Sequence, residues 1–157
     1  MEAIGAGANV AAFVVIGLQL AKNVYKTLST IKDGPAIVQR VANDVNQLHW
    51  ILEQLRHSQA AVHDASLAGH IGLCVQELSS VADTVQKLQF SSNELTTGNM
   101  WKRFKSFLDE KSLDMISAQV TRHAASLSLR LNIISRLVYP QYRYAWTISI
   151  VSYKLKQ

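Results

Sequence analysis

The chain has 157 residues, 48% of them hydrophobic and 17% charged, with a net charge of +5. That length and hydrophobicity suit one domain with a real core and exclude a disordered tail. A single cysteine excludes an internal disulfide framework and a cysteine-rich zinc module, and two prolines with seven glycines exclude collagen-like and proline-rich chains.

No residue between Ala3 and Ala21 is charged, and Val10, Ala11, Ala12, Phe13, Val14, Val15, Ile16, Gly17 and Leu18 form an unbroken apolar run. Glu2 is the only charge before Lys22, so the basic start of a secretory signal is missing. As a helix, residues 3–21 would span about 28 Å, close to the hydrocarbon core of about 30 Å. Asn9, Gln19, Gly5, Gly7 and Gly17 interrupt the segment. It therefore lies on the border between a buried core helix and a membrane span. A helix apolar all round is buried in something, protein or lipid. Ala3, Gly7 and Ala11 form a small-residue stripe that suits close helix packing in either medium.

Beyond Leu18 the helix is amphipathic. Leu20, Val24, Leu28 and Ile31 continue its apolar face, and Lys22 and Lys26 share a polar one. Asp33-Gly34-Pro35 predicts a break, with Gly34 as the C-terminal cap and Pro35 in the next helix's first turn. A second helix is predicted over 35–59. Its seam is Val38, Val41, Val45, Leu48, Leu52 and Leu55, at alternating three- and four-residue spacing and widened by Ile37 and Ile51. A third is predicted over 66–90, with Leu67, Ile71, Cys74, Leu78, Val81, Val85 and Leu88 as its seam. Residues 91–99 read as a loop. A short amphipathic helix over 100–108 and a long one over 110–138 follow. Leu113, Ile116, Val120, Ala124, Leu127, Leu131, Ile134 and Val138 form the long helix's stripe, with Arg122, Arg130 and Arg136 off it. Pro140 is expected to end the helical pattern. In the tail, Tyr144, Trp146, Ile148 and Ile150 alternate as a strand would, although a short interfacial helix also fits. The expected fold is all-α: an up-and-down bundle of four to five helices over 1–138, with an irregular tail over 139–157.

Residues 99–157 hold ten of the sixteen basic residues, which points to phosphate, in nucleic acid or anionic lipid, or to a merely solvated face. No helix-turn-helix, zinc-finger or RNP-type pattern is present, so nucleic acid is not an expected partner. His49, His57, His63, His70 and His123 match no metal-binding spacing, so no metal ligand is expected. His57, His63 and His70 read as exposed loop histidines and His123 as half-buried packing. Cys74 falls in a seam and reads as an inert small hydrophobe. Asp109, Glu110 and Asp114 suit a helix N-terminus, where carboxylates meet the positive end of the dipole. No phosphate-binding glycine loop occurs. Neither enzymatic activity nor a cofactor is expected.

The acid-poor first helix, the turn Lys32-Asp33-Gly34-Pro35-Ala36, and the helix carrying Val41-Ala42-Asn43-Asp44-Val45-Asn46-Gln47-Leu48 come in a telling order. The element Trp101-Lys102-Arg103-Phe104-Lys105-Ser106-Phe107 then leads through Asp109-Glu110-Lys111 into the long helix. Over about residues 1–138 this order resembles the HeLo-like N-terminal domain of fungal STAND (NLR-type) proteins. SesA-type N-terminal domains share the first-helix character. The resemblance implies an effector domain of regulated cell death, including heterokaryon incompatibility. It would rest in the cytoplasm, be recruited to the plasma membrane, answer to an NLR-type receptor and form a homo-oligomer on activation. It also implies that residues 1–21 are the membrane-active segment and transfers no catalytic residue. Residues 139–157 match nothing in the family, and its nucleotide-binding domain and repeats are not in the chain.

Val10, Phe13, Val14, Val15, Ile16 and Leu18 are the expected insertion residues. Lys22, Lys26, Lys102, Arg103 and Lys105 are expected to meet anionic lipid headgroups, with Trp101 at the interface. Phe104 and Phe107 read instead as pins holding the short helix to the bundle. A homotypic adaptor, associating through the seams of the second and third helices, is the alternative. A third reading is an integral protein anchored by residues 3–21.

Overall fold

The computed structural model describes residues 6–62, 64–90 and 100–154, and within these the side chains of 10–61, 64–87 and 100–137. Six helices occur among them: α1 (Ala6–Thr30), α2 (Ala36–His57), α3 (Gln59–Val62), α4 (Ala65–Phe90), α5 (Met100–Phe104) and α6 (Glu110–Lys154). No strand is present among the described residues. The chain is an all-α helical bundle.

Side-chain pairings set the directions of the four long helices. Gly17 of α1 lies against Leu52 of α2 while Ile31, just past the end of α1, meets Gln39, so α1 and α2 are antiparallel. Phe13 meets Gly72 and Gly17 meets Val75, so α4 runs parallel to α1. Arg40 pairs with Asp114, and Ser117 donates to Asp44 at 2.6 Å, so α6 runs parallel to α2. Glu77 faces His123 and Ser66 faces Arg130, so α4 and α6 are antiparallel. Direction alternates along the chain, as an up-and-down bundle requires. In space α1 neighbours α2 and α4, and α6 neighbours α2 and, along a thinner seam, α4. The α2-to-α4 connection, carrying α3, therefore crosses a diagonal of the four-helix square.

The seam of α2 is buried in full, from Val38 to Leu55, with Ile37 and Ile51 beside it. Leu67, Ile71, Cys74, Leu78 and Val85 of α4 are buried, as are Leu113, Val120, Ala124 and Leu127 of α6. Each buried Val, Leu or Ile side chain among them is worth about 1.5–3 kcal/mol when removed from water. The helix starts were partly legible. Asp109 caps α6 by accepting the Ser112 N–H at 2.7 Å. Asp64 caps α4 by accepting from the backbone N–H groups of Ser66 and Leu67, at 3.0 and 3.3 Å. The Ser66 hydroxyl, which also donates to Asp64, holds that carboxyl below its ordinary pKa, helped by the two backbone donors and Arg130.

Gly34 serves a different purpose from the expected one. No described glycine has a positive φ. A Cβ at Gly34 would instead lie 3.2 Å from Ile31, Trp101 and Val38, so the turn needs the missing side chain. Gln39 closes α1 by donating its Nε2 to the Ile31 carbonyl at 2.8 Å. Gly69 of α4 is the opposite case, since a Cβ there meets nothing within 4 Å. Gly69→Ala should stabilise the chain by about 0.8–1 kcal/mol through helix propensity alone, read as a rise in Tm.

Two boundaries differ clearly from expectation. The short helix α5 ends at Phe104, four residues early. The helix predicted to stop at Val138 continues through Pro140 to Lys154, so the tail is neither irregular nor a strand over those residues. An internal proline costs one backbone hydrogen bond, about 3 kcal/mol, and does not by itself compel a stop. A strand without a partner would leave a whole row of backbone groups unpaired, whereas a helix satisfies its own. Among the described side chains, the last of α6 packed on the core is Ile134.

Candidate functional site

The apolar run of α1 is divided between two environments. Val10, Val14 and Leu18 are buried, and Phe13 is half-buried against Gly72 of α4. Val15 and Ile16 are 59% and 47% exposed. The buried set continues through Ala21, Val24, Leu28 and Ile31, so α1 is wedged between α2 and α4 along its length. Gly17 permits this close approach: a Cβ there would lie 3.1 Å from Leu52 Cδ1 and 3.3 Å from Val75 Cγ2.

Val15, Lys22 and Lys26 are seven and four residues apart, which places them on one helical face, and all three are exposed. The outer face of α1 thus carries an apolar patch followed by two cations. Lys22 and Lys26 also border a groove shared with Tyr25, Asn46, His49 and Glu53 of the α1–α2 face.

The α5 cluster sits elsewhere. The Trp101 N–H donates to Asp33 Oδ2 at 3.3 Å, and the Trp101 ring covers Gly34. This docks α5 at the α1–α2 turn, the end opposite Val10. From Val15 to Ile31 is about 24 Å along the helix axis. Lys102 and Lys105 are exposed there and Arg103 is half-exposed. The expected insertion segment and the expected headgroup cluster are therefore not one contiguous site. Phe104 is fully buried, as its role of pin requires, whereas Phe107 is 45% exposed and pins little. Trp101 is half-buried, stacked at 5.7 Å on Phe104.

The candidate reactive groups are held apart from solvent or from one another. Cys74 is buried in the α4 seam, and burial, with Glu77 nearby, pushes its thiol up to about 12. Among the described residues no group of three or more His, Cys, Asp or Glu side chains is placed to hold a metal ion. His57 is exposed, at the end of α2. His63 lies outside the described residues. His70 is not in a loop: it lies within α4, half-buried, and stands edge-on to His123 with ring centroids 5.6 Å apart. Sequence spacing could not reveal that pairing, because it depends on the antiparallel register of α4 against α6.

No helix among the described residues is long and apolar enough to cross a membrane. The reading of residues 3–21 as a spanning anchor falls partly on residues 3–5, which lie outside the described residues. No protein-family model, curated protein or solved structure matches the chain.

Proposed function

We propose that this chain is a HeLo-like effector domain of a fungal NLR-type signalling system, which perturbs anionic membranes when the N-terminal half of α1 leaves the bundle. The observation that carries this reading is the division of α1. Val10, Val14 and Leu18 are stored in the core, while Val15, Ile16, Lys22 and Lys26 already face outward. The run 10–18 is about 13 Å long as a helix, so it suits a wedge in the headgroup and acyl boundary better than a span. Lys22 and Lys26 follow it at the position where anionic headgroups would be met. In this reading the protein rests in the cytoplasm, is recruited to the plasma membrane and assembles with copies of itself on activation by a receptor.

The test is dye release from vesicles. The full-length chain should empty vesicles containing anionic lipid and spare zwitterionic ones. Each basic contact near such a surface is worth about 1 kcal/mol, so Lys22→Gln with Lys26→Gln should weaken vesicle binding by about 30-fold.

A homotypic adaptor is the second reading. The seams of α2 and α4 cannot serve it, because they are filled by the chain's own core. Leu129, Ile133 and Leu137 favour it instead, an exposed stripe at four-residue spacing on the outside of α6. Dye retention by vesicles of both kinds, with the protein folded and oligomeric in solution, would select this reading.

A further inference from the structure

The thin seam between α4 and α6 carries polar contacts along the N-terminal half of α4. His123 Nε2 donates to Glu77 Oε2 at 2.7 Å. Arg130 donates to the Ser66 hydroxyl at 2.7 Å. Between these two contacts stands His70, edge-on to His123, and its Nε2 is buried with no hydrogen-bond partner among the described residues. Beside this cluster a narrow cleft runs between the helices, lined by Cys74, Glu77, Val81, Gln119 and His123.

We infer that this cluster is a proton-operated latch, in which protonation of His70 loosens α4 from α6. The charge inventory around His70 is one-sided. From α6 it faces His123 and Arg130. From its own helix it has Glu77, already engaged by His123, and the buried thiol of Cys74. Asp64, at the start of α4, is occupied by its cap contacts to Ser66 and Leu67. α1 offers no ionisable residue between Val10 and Ala21, and α3 (Gln59–Val62) carries none. A proton on His123 is met by the Glu77 carboxylate. A proton on His70 creates a cation with a buried N–H and no acceptor, beside the Arg130 guanidinium and the His123 ring. Burial, then His123, then Arg130 hold the His70 imidazole below the ordinary histidine range.

The sign follows from linkage. A histidine whose folded pKa is depressed binds fewer protons in the closed seam than in the open one. The seam is therefore fully closed above about pH 6.5 and weakens as pH falls through the native His70 value. Each unit of depression raises the opening equilibrium by up to about tenfold.

The experiment is hydrogen exchange on the full chain at about pH 7.5 and 5.5, corrected for intrinsic rates, with an NMR titration of the imidazoles. Acid should accelerate exchange in α4 around 70–77 and α6 around 117–127 several-fold more than in α2. His70→Leu should remove that acid effect, and His57→Leu, at an exposed site, should retain it. An acid effect of equal size in His70→Leu overturns the latch, as does an unaccelerated seam in the wild type. Should His70→Leu fail to fold, the wild-type titration decides: a His70 midpoint at or above the ordinary histidine value overturns the proposal.

Discussion

Vesicle permeabilisation should be lost, and the folded bundle kept, when Val15 and Ile16 are both replaced by glutamate. The two side chains are 59% and 47% exposed, so the charges stand in water in the resting bundle. Surface changes of this kind usually alter stability by no more than about 0.5 kcal/mol each. In lipid the same two carboxylates would cost about 5 kcal/mol together on an insertion scale. Less than half of that lowers the inserted population by about 30-fold. Dye release measured beside a thermal melt separates the two effects. Release at the wild-type rate from a variant with an unchanged Tm would overturn the membrane reading. Deleting residues 1–21 is a poorer experiment, because it removes Val10, Val14, Leu18 and Ala21 from the core.

The largest stability effect is expected at Gly17. In Gly17→Val the β-carbon alone would stand 3.1 Å from Leu52 Cδ1 and 3.3 Å from Val75 Cγ2, before its two methyl groups are placed. Overpacking of this kind costs about 3 kcal/mol. For a chain of this size that lowers Tm by about 6–12 °C. The strain falls on the contacts that hold α1 to both α2 and α4. The same variant should therefore release dye faster than wild type from anionic vesicles. A melt and a release trace that both match wild type would show that α1 is not held as tightly as the packing indicates.

What could be read from the amino acids, and what could not, follows the range of the interactions. The seam from Val38 to Leu55 was legible because a helix repeats its buried face every three or four residues, and every seam residue is indeed buried. The break at Asp33-Gly34-Pro35 was legible because it depends on local chain geometry. The outer face of α1 was not, since a segment apolar on all sides gives no sign of which side meets water. The continuation past Pro140 was hidden by an alternation from Tyr144 to Ile150 that satisfies a strand pattern over too few residues to exclude a helix. The His70–His123 pairing and the separation of Trp101 from Val15 were beyond reach. Both depend on how helices distant in sequence are laid beside one another.

The fit around Gly17 also governs the route by which α1 could leave. Consider α1 sliding out lengthwise, N-terminus first. Leu20 and Ala21, then Val24, then Leu28 would have to pass the constriction formed by Leu52 and Val75. A single added methyl is already crowded there. Axial withdrawal is therefore sterically blocked after about one turn, or about 5 Å of travel. The open trajectory is sideways, toward the solvent side where Val15, Ile16, Lys22 and Lys26 are exposed, and it breaks the contacts with α2 and α4 together. α2 is fastened on two flanks, by α1 and by α6. α4 shares only a thin seam with α6, so α1 is its main attachment to the bundle. Loss of α1 would therefore leave α2 held by α6 but α4 held by little beyond that seam.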